Sequence, residues 1–221
     1  MKISRSLPDR QLEYSLGYSL SDAEVHRNTI RWQIYLAVKR LMDIMVASLA
    51  LIVFSLLMVA VAVAIWIDSG RPAIFSQYRV GKHGKKIRIL KFRTMYTSAP
   101  EYSLKVEQGD PRVTRLGRFL RRSSIDELPQ LINIIKGDMS LVGPRPEQPW
   151  IVEQLYQPWQ YSRFSATPGL TGWWQVNGRS DKPMHENTEL DLYYIENQSL
   201  WLDIVILMKT VGVVLYGKGA R

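Results

Sequence analysis

Residues 44–67 read IMVASLALIVFSLLMVAVAVAIWI, an uncharged stretch that is apolar all round a helix and not along one stripe. At about 1.5 Å per residue it reaches roughly 36 Å, comparable with a hydrocarbon core of about 30 Å. It starts too far from Met1, and runs too long, for a cleaved signal peptide. Lys39 and Arg40 precede it, and Arg71, Arg79, Lys82, Lys85, Lys86 and Arg88 follow, so both flanks carry the basic excess of a cytoplasmic face. Two readings fit. One is an ordinary span with basic residues left outside. The other is a broken helix that dips into the membrane and returns, bent near Ser55, whose hydroxyl can bond to freed backbone groups. Asp43, just before the run, can pair with Lys39 or Arg40 or sit at headgroup level.

Outward from this run, the chain of 221 residues is 46% hydrophobic and carries a formal net charge of +9. That is enough for one domain plus a membrane segment, with an anionic partner: a phosphorylated small molecule, an acidic lipid surface or nucleic acid. The absence of cysteine excludes disulfides, thiolate metal sites and a thiol nucleophile. His26, His83 and His185 lack metal-ligand spacing, and no Walker-type loop or Rossmann glycine pattern is present.

Residues 1–30 read as a polar arm, 31–67 as the membrane-inserted helix and 68–221 as a folded domain. AIFSQYRVG and KKIRILKFRTM alternate around Gly81–Gly84 and predict a hairpin. Helices are expected through RVTRLGRFLRR, over about 126–136 ending at Gly137, over 150–164, over 186–194 and over 199–216. The last carries Asp203 and Lys209, which marks it as amphipathic, packed or lying at an interface, and not as a second span. MSLVGPRPEQP reads as an extended loop, because residues before proline avoid helical geometry. The fold class is α+β: a mostly helical domain around a small antiparallel sheet, with interfacial amphipathic helices.

Arg115, Arg118 and Arg122 share one helix face by spacing, with Arg121 beside them, and such a face would bind phosphate. SSIDELPQLINIIKG follows, with Asp126 and Glu127 at the start of the next helix. Ser124 and Glu127 match a capping box, so helix capping competes with chemistry. With Ser124 as the cap, Pro129 would fall at the fifth helical position and cost a bond. With Asp126 as the cap, Pro129 lies in the first turn. A carboxylate capping there, near arginines, is expected to stay ionised with a low pKa, which suits a nucleophile or a Mg²⁺ ligand better than a general acid. Further phosphate-binding candidates are Lys91 and Arg93 in LKFRTM, Arg112 in GDPRVTRLG, proline-bracketed Arg145 in VGPRP, and Arg179 in VNGR. Taken singly, each is also an ordinary surface charge.

The ordered string KRLMDI, the apolar run, SQYRVGKHGK, LKFRTM, DPRVTRLGRFLRRSSIDELPQLINIIKGDMSLVGPRP and PGLTGWWQVNGR resembles the bacterial sugar transferases called monotopic phosphoglycosyl transferases, over roughly residues 31 to 221. The resemblance implies a re-entrant membrane helix, a catalytic domain facing the cytoplasm at the bacterial inner membrane, and a Mg²⁺ requirement. It also implies a catalytic pair matched here by Asp126 and Glu127, with metal contacts from the same two residues. Asp126 would attack the β-phosphate of a UDP-sugar and release UMP, and polyprenyl (undecaprenyl) phosphate would take up the sugar phosphate. Arg122 and Arg145 would contact phosphate, and Lys91 would help bind the donor. Implied partners are the UDP-sugar, polyprenyl phosphate and membrane lipids, with no nucleic acid, and a homodimer is admitted. One departure stands out: the family's membrane helix commonly breaks at Ser-Pro, whereas here Leu56 follows Ser55. The ending VLYGKGAR looks like exopolysaccharide-priming members that load a hexose-1-phosphate, and the short chain implies that the extra N-terminal membrane domain of larger relatives is lacking. The rival readings are a noncatalytic anionic-lipid module, a membrane-tethered nucleic-acid binder and a phosphatase that uses water as acceptor.

Overall fold

A computed structural model describes residues 29–100, 109–178 and 183–216. The polar-arm reading of 1–30 therefore falls almost wholly outside the described residues, as does Arg179. α1 (Ile30–Ser69) is a single 40-residue helix. The Thr29 hydroxyl accepts from the Trp32 N–H at 3.3 Å to start it, and Gly70, at φ 81°, ends it. It runs unbroken through Ser55, whose hydroxyl donates to the Ile52 carbonyl at 2.8 Å. Asp43, Ala47, Val61 and Ile65 are buried, with Ala50, Leu51, Met58 and Ala62 partly so, forming one stripe at helical spacing. Away from this stripe the middle of the helix is bare and apolar: Leu56 is 80% exposed, and Leu49, Ile52 and Val59 are exposed beside it.

β1 (Ile74–Val80) and β2 (Lys86–Phe92) form the expected antiparallel hairpin, in register from Ile74 opposite Phe92 to Val80 opposite Lys86. α2 (Arg115–Ser123) follows, then a 3-10 turn (Ile125–Glu127) and α3 (Gln130–Lys136). The segment read as one helix over 126–136 is thus divided. Ser124 sits in the left-handed region at φ 58° and makes no side-chain cap, and Asp126 lies inside the turn; α3 begins only after Pro129. Neither the capping box nor an Asp126 cap forms, because the backward turn at Ser124 redirects the chain before the helix begins.

The proline-rich loop holds a second sheet that the hydropathy pattern did not reveal. β3 (Ser140–Val142) pairs in parallel with β4 (Gly169–Thr171). Three-residue strands are too short to show alternation, and the pairing depends on close backbone approach: a Cβ on Gly169 would lie 2.1 Å from the Gly143 nitrogen. The helix expected over 150–164 is α4 (Pro149–Leu155) followed by a 3-10 segment (Pro158–Ser165), broken where Tyr156 and Gln157 turn extended before Pro158. α5 (Trp173–Asn177), α6 (Thr188–Glu196) and α7 (Leu200–Tyr216) complete the described fold. α7 packs on β3, β4 and α5 and leaves Trp201, Ile204, Met208 and Val211 exposed along one stripe.

The domain grips α1 at two places. Toward its N-terminus, Arg40 donates to the carbonyls of Ile134 and Ile135 at 2.6 and 2.8 Å, satisfying the open end of α3. Asp43 accepts from the Leu141 N–H at 2.9 Å, and Lys39 pairs with buried Asp203 at 2.8 Å. Toward its C-terminus, Val61 and Ile65 pack with Ala73, Phe92 and Leu120. There Arg93 donates to the carbonyls of Ser69 and Gly70 at 2.9 and 2.6 Å.

Candidate active site

Three elements bring charge to one cleft of about 1560 Å³. Lys91 comes from the end of β2, Asp126 and Glu127 from the 3-10 turn, and Arg145 from the Gly143–Pro146 loop after β3. Phe54 and Leu57 of α1, with Thr210 and Val213 of α7, also line this cleft, so the charged cluster shares its space with the apolar helix.

Glu127 is held from two sides. Lys91 Nζ lies 2.7 Å and Arg145 Nη2 2.5 Å from Oε1, while Arg145 Nη1 reaches Oε2 at 3.4 Å. Burial pushes the Glu127 carboxyl up, but Arg145 and Lys91 together outweigh it and hold the group well below the usual carboxylate range. Burial lowers Lys91, against the pull of Glu127, and Glu127 raises Arg145.

Asp126 is treated differently. It is 8% exposed, and among the described residues it accepts no hydrogen bond. Burial pushes its carboxyl up to about 6, and the Glu127 charge adds to this while Lys91, Arg121 and Arg145 oppose it. This corrects the expectation of a low pKa. That expectation rested on a helix-start position with free N–H groups, whereas Asp126 sits inside a buried turn next to a carboxylate that has taken both nearby cations.

The other candidates separate. Arg121 lines the cleft and donates from Nε to the Thr94 hydroxyl at 2.9 Å, whereas Arg115, Arg118 and Arg122 are exposed. The arginine spacing marks the solvent face of α2; Gly117 and Leu120 mark its buried face and point to Arg121, their neighbour. Arg93 lines the cleft but spends Nη2 on the end of α1. Arg112 forks onto Asp110 at 2.6–3.1 Å, away from the cleft lining. Ser55 stays within α1.

Among the described residues no group of three or more His, Cys, Asp or Glu could hold a metal ion. The donor set nevertheless suits Mg²⁺ in its phosphate-bound mode, which needs only one or two carboxylates and takes the rest of its shell from phosphate and water. Asp126 lines the cleft and accepts no hydrogen bond among the described residues, and Glu127 is adjacent.

Residues 34–217 match the family described as bacterial sugar transferase. The UDP-N-acetylgalactosamine-undecaprenyl-phosphate N-acetylgalactosaminephosphotransferase of Aeromonas hydrophila is 45% identical, over 85% of this chain and 46% of its own length. The UDP-glucose:undecaprenyl-phosphate glucose-1-phosphate transferase of Escherichia coli strain K12 is 42% identical, over 78% and 39%. This chain thus spans less than half the length of either protein. The exopolysaccharide production protein ExoY of Rhizobium meliloti is 37% identical, over 82% of this chain and 87% of its own length. With the apolar helix α1, these likenesses put the chain at the bacterial inner membrane with its folded domain on the cytoplasmic side. The chain belongs to the bacterial sugar transferase family, a family of phosphoglycosyl transferase enzymes.

Proposed function

We propose that this protein transfers a sugar-1-phosphate from a UDP-sugar to undecaprenyl phosphate, releasing UMP, as the first membrane step in assembling an exopolysaccharide or related glycan. The observation that carries the reading is the asymmetry of the acidic pair: Glu127 is saturated by Lys91 and Arg145, while its neighbour Asp126 is buried and, among the described residues, accepts no hydrogen bond. The relatives named for UDP-sugar and undecaprenyl phosphate supply the substrate classes, one an N-acetylated sugar and one glucose, and the resemblance of the ending VLYGKGAR to exopolysaccharide-priming members favours a hexose.

In the proposed sequence an Asp126 carboxylate oxygen attacks the β-phosphorus of the donor. The bond from that phosphorus to the bridging oxygen breaks, and UMP leaves with the oxygen. A phosphate oxygen of the lipid then attacks the same phosphorus, the bond to Asp126 breaks, and the carboxylate is restored. Burial favours this role, because a carboxylate stripped of hydrogen bonds is a stronger nucleophile than one tied to N–H donors. Lys91 and Arg145 neutralise phosphoryl oxygens beside it, and Glu127 keeps the two cations in place. Mg²⁺ would be held chiefly by Asp126 with the donor diphosphate, Glu127 joining where Lys91 or Arg145 turns to phosphate, and would supply further charge neutralisation. Arg121 joins Lys91 and Arg145 as a phosphate contact in this reading.

We further propose that α1 sits in the membrane from one side, its bare apolar face in the lipid, without crossing it, and keeps both ends on the cytoplasmic face. Support comes from the two grips on α1 by the same domain, and from the basic residues at both flanks. A helix held against one domain near both ends favours an arrangement with both on that domain's side. The chain has no cysteine, so single cysteines placed at Gln33 and Arg71 report cleanly in sealed inverted vesicles. Equal labelling is expected, and labelling at opposite faces would overturn the one-sided topology.

The test of function is UMP release from a panel of UDP-sugars by detergent-solubilised protein with Mg²⁺ and undecaprenyl phosphate. Lipid-dependent multiple turnover with one donor is expected. No release with any donor from folded protein would return the acidic pair to a structural role, and free sugar phosphate formed without lipid would identify a phosphatase.

A further inference from the structure

Arg145 sits between Pro144 and Pro146, so the loop that aims it lacks two backbone donors. The loop is instead held through its carbonyls. Pro144 O accepts from the Gly169 N–H at 2.9 Å, and Glu147 O from the Val80 N–H at 2.8 Å. Between them, Arg145 O accepts from Arg163 Nη2 at 2.8 Å. Arg163 is 1% exposed, deep beneath the cleft wall. The same nitrogen reaches Asp191 Oδ2 at 2.5 Å, and Nη1 donates to the Tyr156 hydroxyl. The rings of Tyr156 and Phe164 flank the guanidinium at 5.8 and 5.7 Å.

This arrangement is costly for a merely structural pair. Among the described residues, Arg163 Nε and Asp191 Oδ1 are both buried without a hydrogen-bond partner. Buried ion pairs are often replaceable by apolar side chains with no loss of stability. What an apolar pair cannot supply is a donor for the Arg145 carbonyl, and only a forked guanidinium grips that carbonyl, a carboxylate and a hydroxyl together.

We infer that Arg163, fixed by Asp191 and Tyr156, is a positioning residue: it pins the Arg145 peptide and thereby sets the Arg145 guanidinium against Glu127 and the donor phosphate. The inference rests on the transferase reading above. It adds a deeply buried second layer, contributed by the 3-10 segment Pro158–Ser165 and by α6, to a site otherwise built from β2, the acidic turn and the proline loop.

The experiment measures kcat and KM for whichever UDP-sugar the wild-type protein turns over, alongside melting temperature. The variants are Arg163→Lys and the paired Arg163→Met with Asp191→Leu. Arg163→Lys keeps charge opposite Asp191 but loses the fork, and the apolar pair removes the charges together so that the fold survives. Folded variants are expected to lose about 10- to 100-fold in kcat, the scale of a small misplacement of a reacting group, with a raised KM for the donor. A purely structural role would lower only the active fraction and leave KM at its wild-type value, and wild-type kcat and KM per folded molecule in either variant would overturn the inference. Should neither variant fold, Tyr156→Phe removes a single acceptor of the clamp and carries the same two outcomes, with a smaller loss. Failure of the transferase reading shows separately, as absence of UMP release from the wild-type protein, and removes the clamp's catalytic meaning with it.

Discussion

The seam between α1 and the domain and the cleft around Asp126 both bury charge, yet they handle it in opposite ways. At the seam every acid is matched. Asp43 takes the Leu141 N–H, and Asp203 takes Lys39 together with the hydroxyls of Tyr35 and Tyr194. In the cleft two cations converge on Glu127, and the adjacent Asp126 is left without a hydrogen bond among the described residues. A saturated carboxylate stabilises a fold; one buried without a hydrogen bond costs stability and retains reactivity. Burial alone does not separate the two, because Asp43 and Asp126 are both nearly inaccessible. The partner inventory does.

The largest expected effect breaks this contrast at its centre. Asp126→Asn should reduce UMP release by about 10³-fold or more, as loss of a nucleophile does. It should also raise stability at pH 7.5 by about 2 kcal/mol, since an Asp126 carboxyl raised from 3.8 to about 6 is easier to fold neutral than charged. A raised folded pKa gives a stabilisation that is complete below 3.8 and gone once pH passes 6. Acidifying from pH 7 toward 5 should therefore stabilise the wild-type protein through this group while slowing its first chemical step, with a midpoint near 6. Glu127 acts in the opposite sense. Its depressed carboxyl stabilises above its ordinary 4.5, and that contribution fades only in stronger acid. Single-turnover UMP release across pH 4.5–8 and melting curves carried down to pH 3 read both trends.

A change at the seam should do the reverse. Lys39→Met leaves Asp203 buried beside two hydroxyls without its cation, and about 2–3 kcal/mol of stability should be lost. KM for the UDP-sugar should remain at its wild-type value in the folded fraction. Denaturation and donor kinetics on the same preparation separate the two regions.

The smallest effect tests the turn between them. Ser124→Gly should hold or raise stability, by up to about 1 kcal/mol, because Ser124 sits at φ 58°. A capping serine would instead lose stability on this change, by a few tenths of a kcal/mol.

Much of this was legible in the sequence. The hairpin was marked by alternation around Gly81–Gly84, α1 by its length without charge, and Asp126, Glu127, Lys91 and Arg145 by ordered motifs. What stayed hidden was tertiary. The parallel pairing of Ser140–Val142 with Gly169–Thr171 is too short to leave a period. The capping signature at Ser124 is a local pattern overruled by a left-handed turn. Spacing drew attention to Arg122 on the exposed face of α2, while Arg121 was the one turned into the cleft. The opposite fates of two adjacent carboxylates depend on cations 36 and 18 residues away from Glu127, which no local window contains.

The most direct test of Asp126 as the carrier of the sugar phosphate is UMP release in the absence of any lipid acceptor, together with the intact mass of the protein. A burst of about one UMP per protein is expected, with a mass increase of one sugar phosphate on the peptide holding Asp126; both should be absent in Asp126→Asn, and undecaprenyl phosphate should discharge the added mass. UMP release that strictly requires the lipid from the first turnover, with no mass change at any time, would contradict this role of Asp126 and point to direct transfer between the two substrates.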